Sequence, residues 1–90
     1  MTIRLYELNQ QYNQLLEMAD DLDPEVLKDT LESIEESIED KAENTAKLIR
    51  SWEAEIKAIK DEEKRMAERR KALEANAKRT KEYLFEQLEI

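Results

Sequence analysis

Lys64, Arg65, Arg69, Arg70 and Lys71 put five cations into the nine residues of "EKRMAERRK", in a chain whose formal net charge is -8. Lys78 and Arg79 follow, so Lys64–Lys81 holds eight bases against two acids. Guanidinium and ammonium groups at this density serve one of two ends. They neutralise the phosphates of a nucleic acid, or they meet the carboxylates of another protein surface. The interspersed Glu68 and Glu74, the acidic total and the lack of interleaved aromatics for base stacking favour the protein partner. Direct nucleic-acid contact through Lys64–Lys81 is the alternative.

Other chemistry is sparse. There is no histidine, no cysteine and no glycine, so imidazole or thiolate catalysis, thiolate metal sites and Gly-rich phosphate loops are all excluded. The acid cluster "EMADDLD" lacks the glycine and the spacing of a calcium loop, and Asp20, Asp21 and Asp23 read as helix-end and capping residues. "IEESIED" reads as a solvated or partner-facing helix side. No enzyme activity, metal or cofactor is expected. No apolar run approaches the length of a membrane span, and the acidic polar faces do not suit a membrane-surface helix. The N-terminus has no signal-peptide pattern, so a cytoplasmic protein is expected.

The elements that must position the basic run are helices. Charged residues make up 42% of the chain, and Glu, Lys, Ala, Leu and Arg dominate it. That composition, without glycine for tight turns, marks a single all-α domain of few, long helices in an elongated coiled coil. Helix one is expected over about Thr2–Asp20, since Leu5, Leu8, Tyr12, Leu15, Ala19 and Leu22 recur at alternating spacings of three and four. A turn at 21–23 follows. Asp23 suits an N-cap and Pro24 a first helical position. From there one helix is expected to run over about 24–89, with a bend near 40–46 where "KAENTAK" is small and polar. Unbroken, it would be a rod of about 100 Å.

The apolar seam of that helix includes Leu27, Leu31, Ile34, Ile38, Ala42, Ile49, Trp52, Ile56, Ile59, Met66, Leu73 and Leu84. Two successive spacings of four, at Ile34, Ile38 and Ala42, read as a stutter. Helix one is expected to fold back over about Val26–Thr45. Residues from Ala46 onward would then have no partner within the chain, so an oligomer is expected, a dimer or a tetramer built from dimers. Its interface would include Leu31, Ile38, Ile49, Trp52, Ile56, Ile59, Met66, Leu73 and Leu84. Tyr6, Tyr12 and Tyr83 would pack in or beside the seam.

Charge selects the orientation. Residues 1–45 carry three bases against thirteen acids, and residues 46–90 twelve bases against ten acids. An antiparallel dimer lays the basic stretch along the acidic half of its partner; a parallel one stacks like on like. With Ile56 facing Ile59 of the partner, Leu31 would meet Leu84, Ile38 would meet Ala77, and Ala42 would meet Leu73. Thr45 would then face Arg70, and Trp52 would face Glu63.

The segments "LYELNQQYNQLLEM", "LDPEVLKDTLESIE" and "KAENTAKLIRSWEAEIKAIKDEEKRMAERRKALEANAKRTKEYL" resemble the siphovirus gene product 157 family across nearly the whole chain. The most specific matches are Lys41–Ile49 and Glu63–Leu84. The resemblance implies a protein of phages and prophages of Gram-positive bacteria, acting in the host cytoplasm. It implies genes near those of single-strand annealing or binding functions, and an association with phage resistance. It implies no catalytic residues. It also implies a more β-like, basic tail beyond the helical part, and this sequence departs there, stopping at "EQLEI". The expected role is a non-catalytic scaffold or inhibitor accessory to phage DNA recombination or replication, with a phage or host protein as partner. The alternative is a direct nucleic-acid binder or nuclease inhibitor.

Overall fold

The computed structural model describes residues 4–88, which are all-α. In order they form α1 (Gln10–Glu17), a 3-10 turn (Ala19–Asp21), α2 (Pro24–Ser33) and α3 (Ile38–Leu88). They fall into two units, one through Lys57 and one from Ala58. α3 contributes to both.

α1 starts well inside the expected range because Asn9 caps it. The Asn9 side chain accepts from the Tyr12 N–H at 3.1 Å, and Asn13 Nδ2 donates to the Leu8 carbonyl at 2.8 Å. Asparagine is among the best N-caps, and its local hydrogen bonds compete with helix on its N-terminal side. Arg4–Asn9 is therefore irregular, although the apolar stripe runs through it. Residues 2 and 3 of the expected helix lie outside the described residues. The Asp23–Pro24 junction forms as expected, with Asp23 accepting from the Glu25 N–H at 2.9 Å.

The helix expected to run unbroken from Pro24 is two helices. α2 ends at Ser33, and Ile34 is extended at φ -71, ψ 116. Ser37 Oγ then accepts from the Asp40 N–H at 3.1 Å, and the Ser37 carbonyl accepts from Lys41 N–H at 2.9 Å, capping α3. Glu39 and Asp40 suit the positive end of its dipole. Residues 40–46, where a bend was expected, lie within α3. Alanine, lysine and glutamate are good helix formers there, whereas serine favours caps. The stutter at Ile34, Ile38 and Ala42 marks the phase change across this break.

In the first unit, Tyr12, Leu15 and Leu16 from α1 pack with Ile34 and with Leu48 of α3, and Leu8, Leu22, Leu27, Leu31 and Trp52 close around them. Each fully buried large side chain contributes about 1.5–3 kcal/mol of transfer free energy. The cover over α3 thus reaches Leu48 and Trp52, beyond the expected limit near Thr45. Among the described residues the second unit is α3 alone, and its large apolar side chains are exposed.

Candidate interaction surface

In the first unit α3 has two distinct sides. Lys41, Asn44, Thr45, Leu48, Ser51, Trp52 and Glu55 are buried or half-buried, at the spacing of one helical face. Leu48 is 1% exposed. The Trp52 indole N–H points to the Leu16 carbonyl at 3.5 Å. Ser51 is fully buried, and its Oγ has no hydrogen-bond partner among the described residues. Ala42, Ile49, Glu53 and Ile56 lie on the adjoining, exposed side. Ile49 is 46% exposed although it adjoins Leu48 in sequence.

A polar cluster fixes which side turns inward. The buried Tyr12 hydroxyl donates to the Glu36 carboxylate, whose other oxygen accepts from Asn44 Nδ2 at 3.0 Å. This joins α1, the segment between α2 and α3, and the first turns of α3. Burial, and then the Glu36 hydrogen bond, push the Tyr12 hydroxyl above its ordinary range, with a Thr45 hydrogen bond acting in the opposite sense.

The residues expected at an oligomer interface therefore divide. Leu31 and Trp52 pack against this chain's own core. Leu31 lies on α2 and Leu84 on α3, so the two are not on one continuous helix. Ile49 and Ile56 are exposed in the first unit, and Ile38, at the first turn of α3, is 84% exposed. Ile59, Met66, Leu73 and Leu84 are exposed in the second unit. Tyr83 is exposed as well, while Tyr6 is half-buried with the Lys47 ammonium 5.8 Å from its ring centre. Leu48 and Ser51 flank the seam, so its spacing does not single them out. The signal that could have found them is the phase reset at the Ser37 cap.

The basic cluster is on the surface of α3, and part of it is satisfied locally. Arg65 pairs with Glu62, Arg70 with Glu74 at 2.7 Å, and Arg79 donates to Asn76 at 3.0 Å. Lys64, Arg69, Lys71 and Lys78 have no ion-pair partner among the described residues. The acids Asp20 and Asp21 sit in the 3-10 turn and Asp23 caps α2. Among the described residues no three acids are grouped to hold a metal ion, and no helix is long and apolar enough to cross a membrane. An open recess is lined by Arg4, Leu5, Tyr6, Glu7, Leu8 and Asn13.

The family model described as Siphovirus Gp157 matches residues 4–90. The chain belongs to the Siphovirus Gp157 family. It is thereby a phage-associated protein. No curated protein and no solved structure matches it. The family match takes in both sides of α3: the covered face of the first unit and the exposed, basic second unit.

Proposed function

We infer that this Gp157-family chain is a non-catalytic interaction protein that works by helix-to-helix association through the exposed apolar stripe of α3. The observation that carries this is the exposure of Ile49 and Ile56 in the first unit and of Ile59, Met66, Leu73 and Leu84 in the second, all at coiled-coil spacing. Single exposed apolar residues are ordinary, but a periodic row of them marks a surface that works when covered. The chain associates with itself through this stripe. As a coiled-coil scaffold or inhibitor in the host cytoplasm it engages a phage or host protein, in phage DNA recombination or replication or in phage resistance. Family membership supports the phage setting.

The test is Met66→Asp with Leu73→Asp. The wild type is expected to sediment as an oligomer and the variant as a monomer, while in dilute solution the urea midpoint of the first unit, read by Trp52, is the same in both. A variant that keeps the wild-type mass would contradict an assembly role for the stripe. A second reading has a specific observation behind it: Lys64, Arg69, Lys71 and Lys78 have no local anion among the described residues, so they are available to phosphates. If the wild type shifts a short single-stranded DNA at low salt and a variant with these four changed to Glu does not, the basic run is a nucleic-acid surface.

A further inference from the structure

We propose that the exposed stripe is covered by a second copy of this chain in antiparallel orientation, in the register that places Ile56 against Ile59 of the partner. This rests on the self-association reading above and adds its geometry. Three features of α3 converge on it.

The first is the division of the seam. In this register Ile56 meets Ile59, Ile49 meets Met66, and Ala42 meets Leu73 across the two copies. Every residue named from the first unit lies on the exposed side of α3, and every one named from the second unit is exposed and apolar. The second feature is the placement of the two charged seam residues. Glu63 and Arg70 fall opposite Trp52 and Thr45, the two seam positions that the chain's own core has turned inward. No charge is pressed against an exposed apolar side chain. Sliding the partner one heptad one way sets Ile59 against Glu63 twice over. Sliding it the other way sets Ile38 against Arg70 and leaves Leu73 beyond the start of α3.

The third feature is charge, and the structure sharpens it. Between Ser37 and Glu53 the exposed charges are Glu39, Asp40, Glu43 and Glu53 against Arg50. Lys41 and Lys47 sit on the half-buried side, Lys47 over the Tyr6 ring. The exposed surface of this stretch is thus more acidic than its sequence suggests, with Glu39 and Glu53 nearest the stripe. The partner stretch lying along it carries Arg69 beside the seam and Lys64, Lys71 and Lys78 farther round the helix, none with an ion-pair partner among the described residues. A parallel pairing would set this acidic face against itself.

The chain has no native cysteine, so disulfide trapping reads the arrangement directly. Full-length Ala42→Cys and Leu73→Cys chains are each refolded alone, and then unfolded and refolded as a mixture, before air oxidation. Circular dichroism verifies that helicity is unchanged. Each variant alone is expected to stay at the single-chain mass on a non-reducing gel, and the mixture to convert to a species of twice that mass. A mixture of Ile49→Cys with Leu73→Cys, one heptad out of register, is expected to trap several-fold less. Trapping of each variant with itself would mean a parallel pair and would overturn the proposal while leaving self-association standing. Equal trapping of the two mixtures would overturn the register. A wild type that scatters light as a monomer would overturn both the geometry and the reading beneath it.

Discussion

Leu48→Ala and Ile49→Ala change adjacent residues of one helix and are expected to act on different processes. Leu48 is 1% exposed and belongs to one core cluster with Tyr12, Leu15, Leu16 and Ile34. Its truncation removes transfer free energy and leaves a cavity, at a cost of about 2–5 kcal/mol. The core has five buried apolar side chains among the described residues, so that cost is a large share of the first unit's stability. Ile49 is 46% exposed on the adjoining side. In an unassembled chain its truncation gives up little burial and gains helix propensity of about 0.4 kcal/mol, so the net change stays within about 0.5 kcal/mol. Urea unfolding followed by Trp52 fluorescence measures both, because Trp52 is the chain's one tryptophan and packs at the edge of this core. At submicromolar protein, Leu48→Ala is expected to lower the midpoint sharply and Ile49→Ala to leave it in place. At high protein concentration Ile49→Ala is expected to lose the extra stability that assembly gives the wild type. Equal losses for the two variants in dilute solution would refute the division of α3 into a covered and an uncovered side.

Ser51→Ala removes a buried hydroxyl with no partner among the described residues, and is expected to stabilise the chain by about 1 kcal/mol in the same unfolding assay. Tyr12→Phe removes the hydrogen bond to Glu36 and is expected to cost about 1 kcal/mol at neutral pH. Because the folded-state pKa of Tyr12 is raised above 10.0, its contribution is complete below pH 10 and is lost as pH rises through the folded value, so wild-type stability should fall in alkali more steeply than that of Tyr12→Phe. Changing Lys64, Arg69, Lys71 and Lys78 to Glu is expected to weaken self-association by an amount that shrinks in high salt, whereas Arg65→Gln with Arg70→Gln, whose partners are on the same helix, should weaken it far less; concentration-dependent sedimentation compares the two sets.

The helical class and the Asp23–Pro24 junction are legible in the sequence because they follow from composition and from backbone chemistry that few residues can satisfy. The start of α1 is not legible from periodicity. Leu5 and Leu8 continue the stripe, yet Asn9 offers its side chain to the Tyr12 N–H and ends the helix there. The stripe persists because Leu8 packs on the core from an irregular segment. The break between α2 and α3 leaves two traces. One is the repeated spacing of four at Ile34, Ile38 and Ala42; the other is Ser37 three residues before Asp40, the pattern of an N-terminal cap. Reading the acids around Ser37 only as a solvated face hides the second trace. The stripe of the second unit is visible in full, since a lone helix displays its own heptads. In the first unit the same heptads are split between two partners. Seam spacing alone cannot say that Thr45 and Trp52 turn toward α1 and α2 while Ile49 and Ile56 turn away, because that choice depends on the phase set at Ser37 and on Tyr12, Glu36 and Asn44.

Self-association through the exposed side of α3 is the premise on which the interaction role, the register and the work of the basic run depend. Static light scattering of the full-length wild type, over a concentration series through the micromolar range, measures it without any substitution. The expected result is a mass of twice the 10.7 kDa chain, or a further doubling as dimers pair, falling toward the single-chain mass only on dilution. A constant 10.7 kDa across the series, with helicity intact, would contradict it.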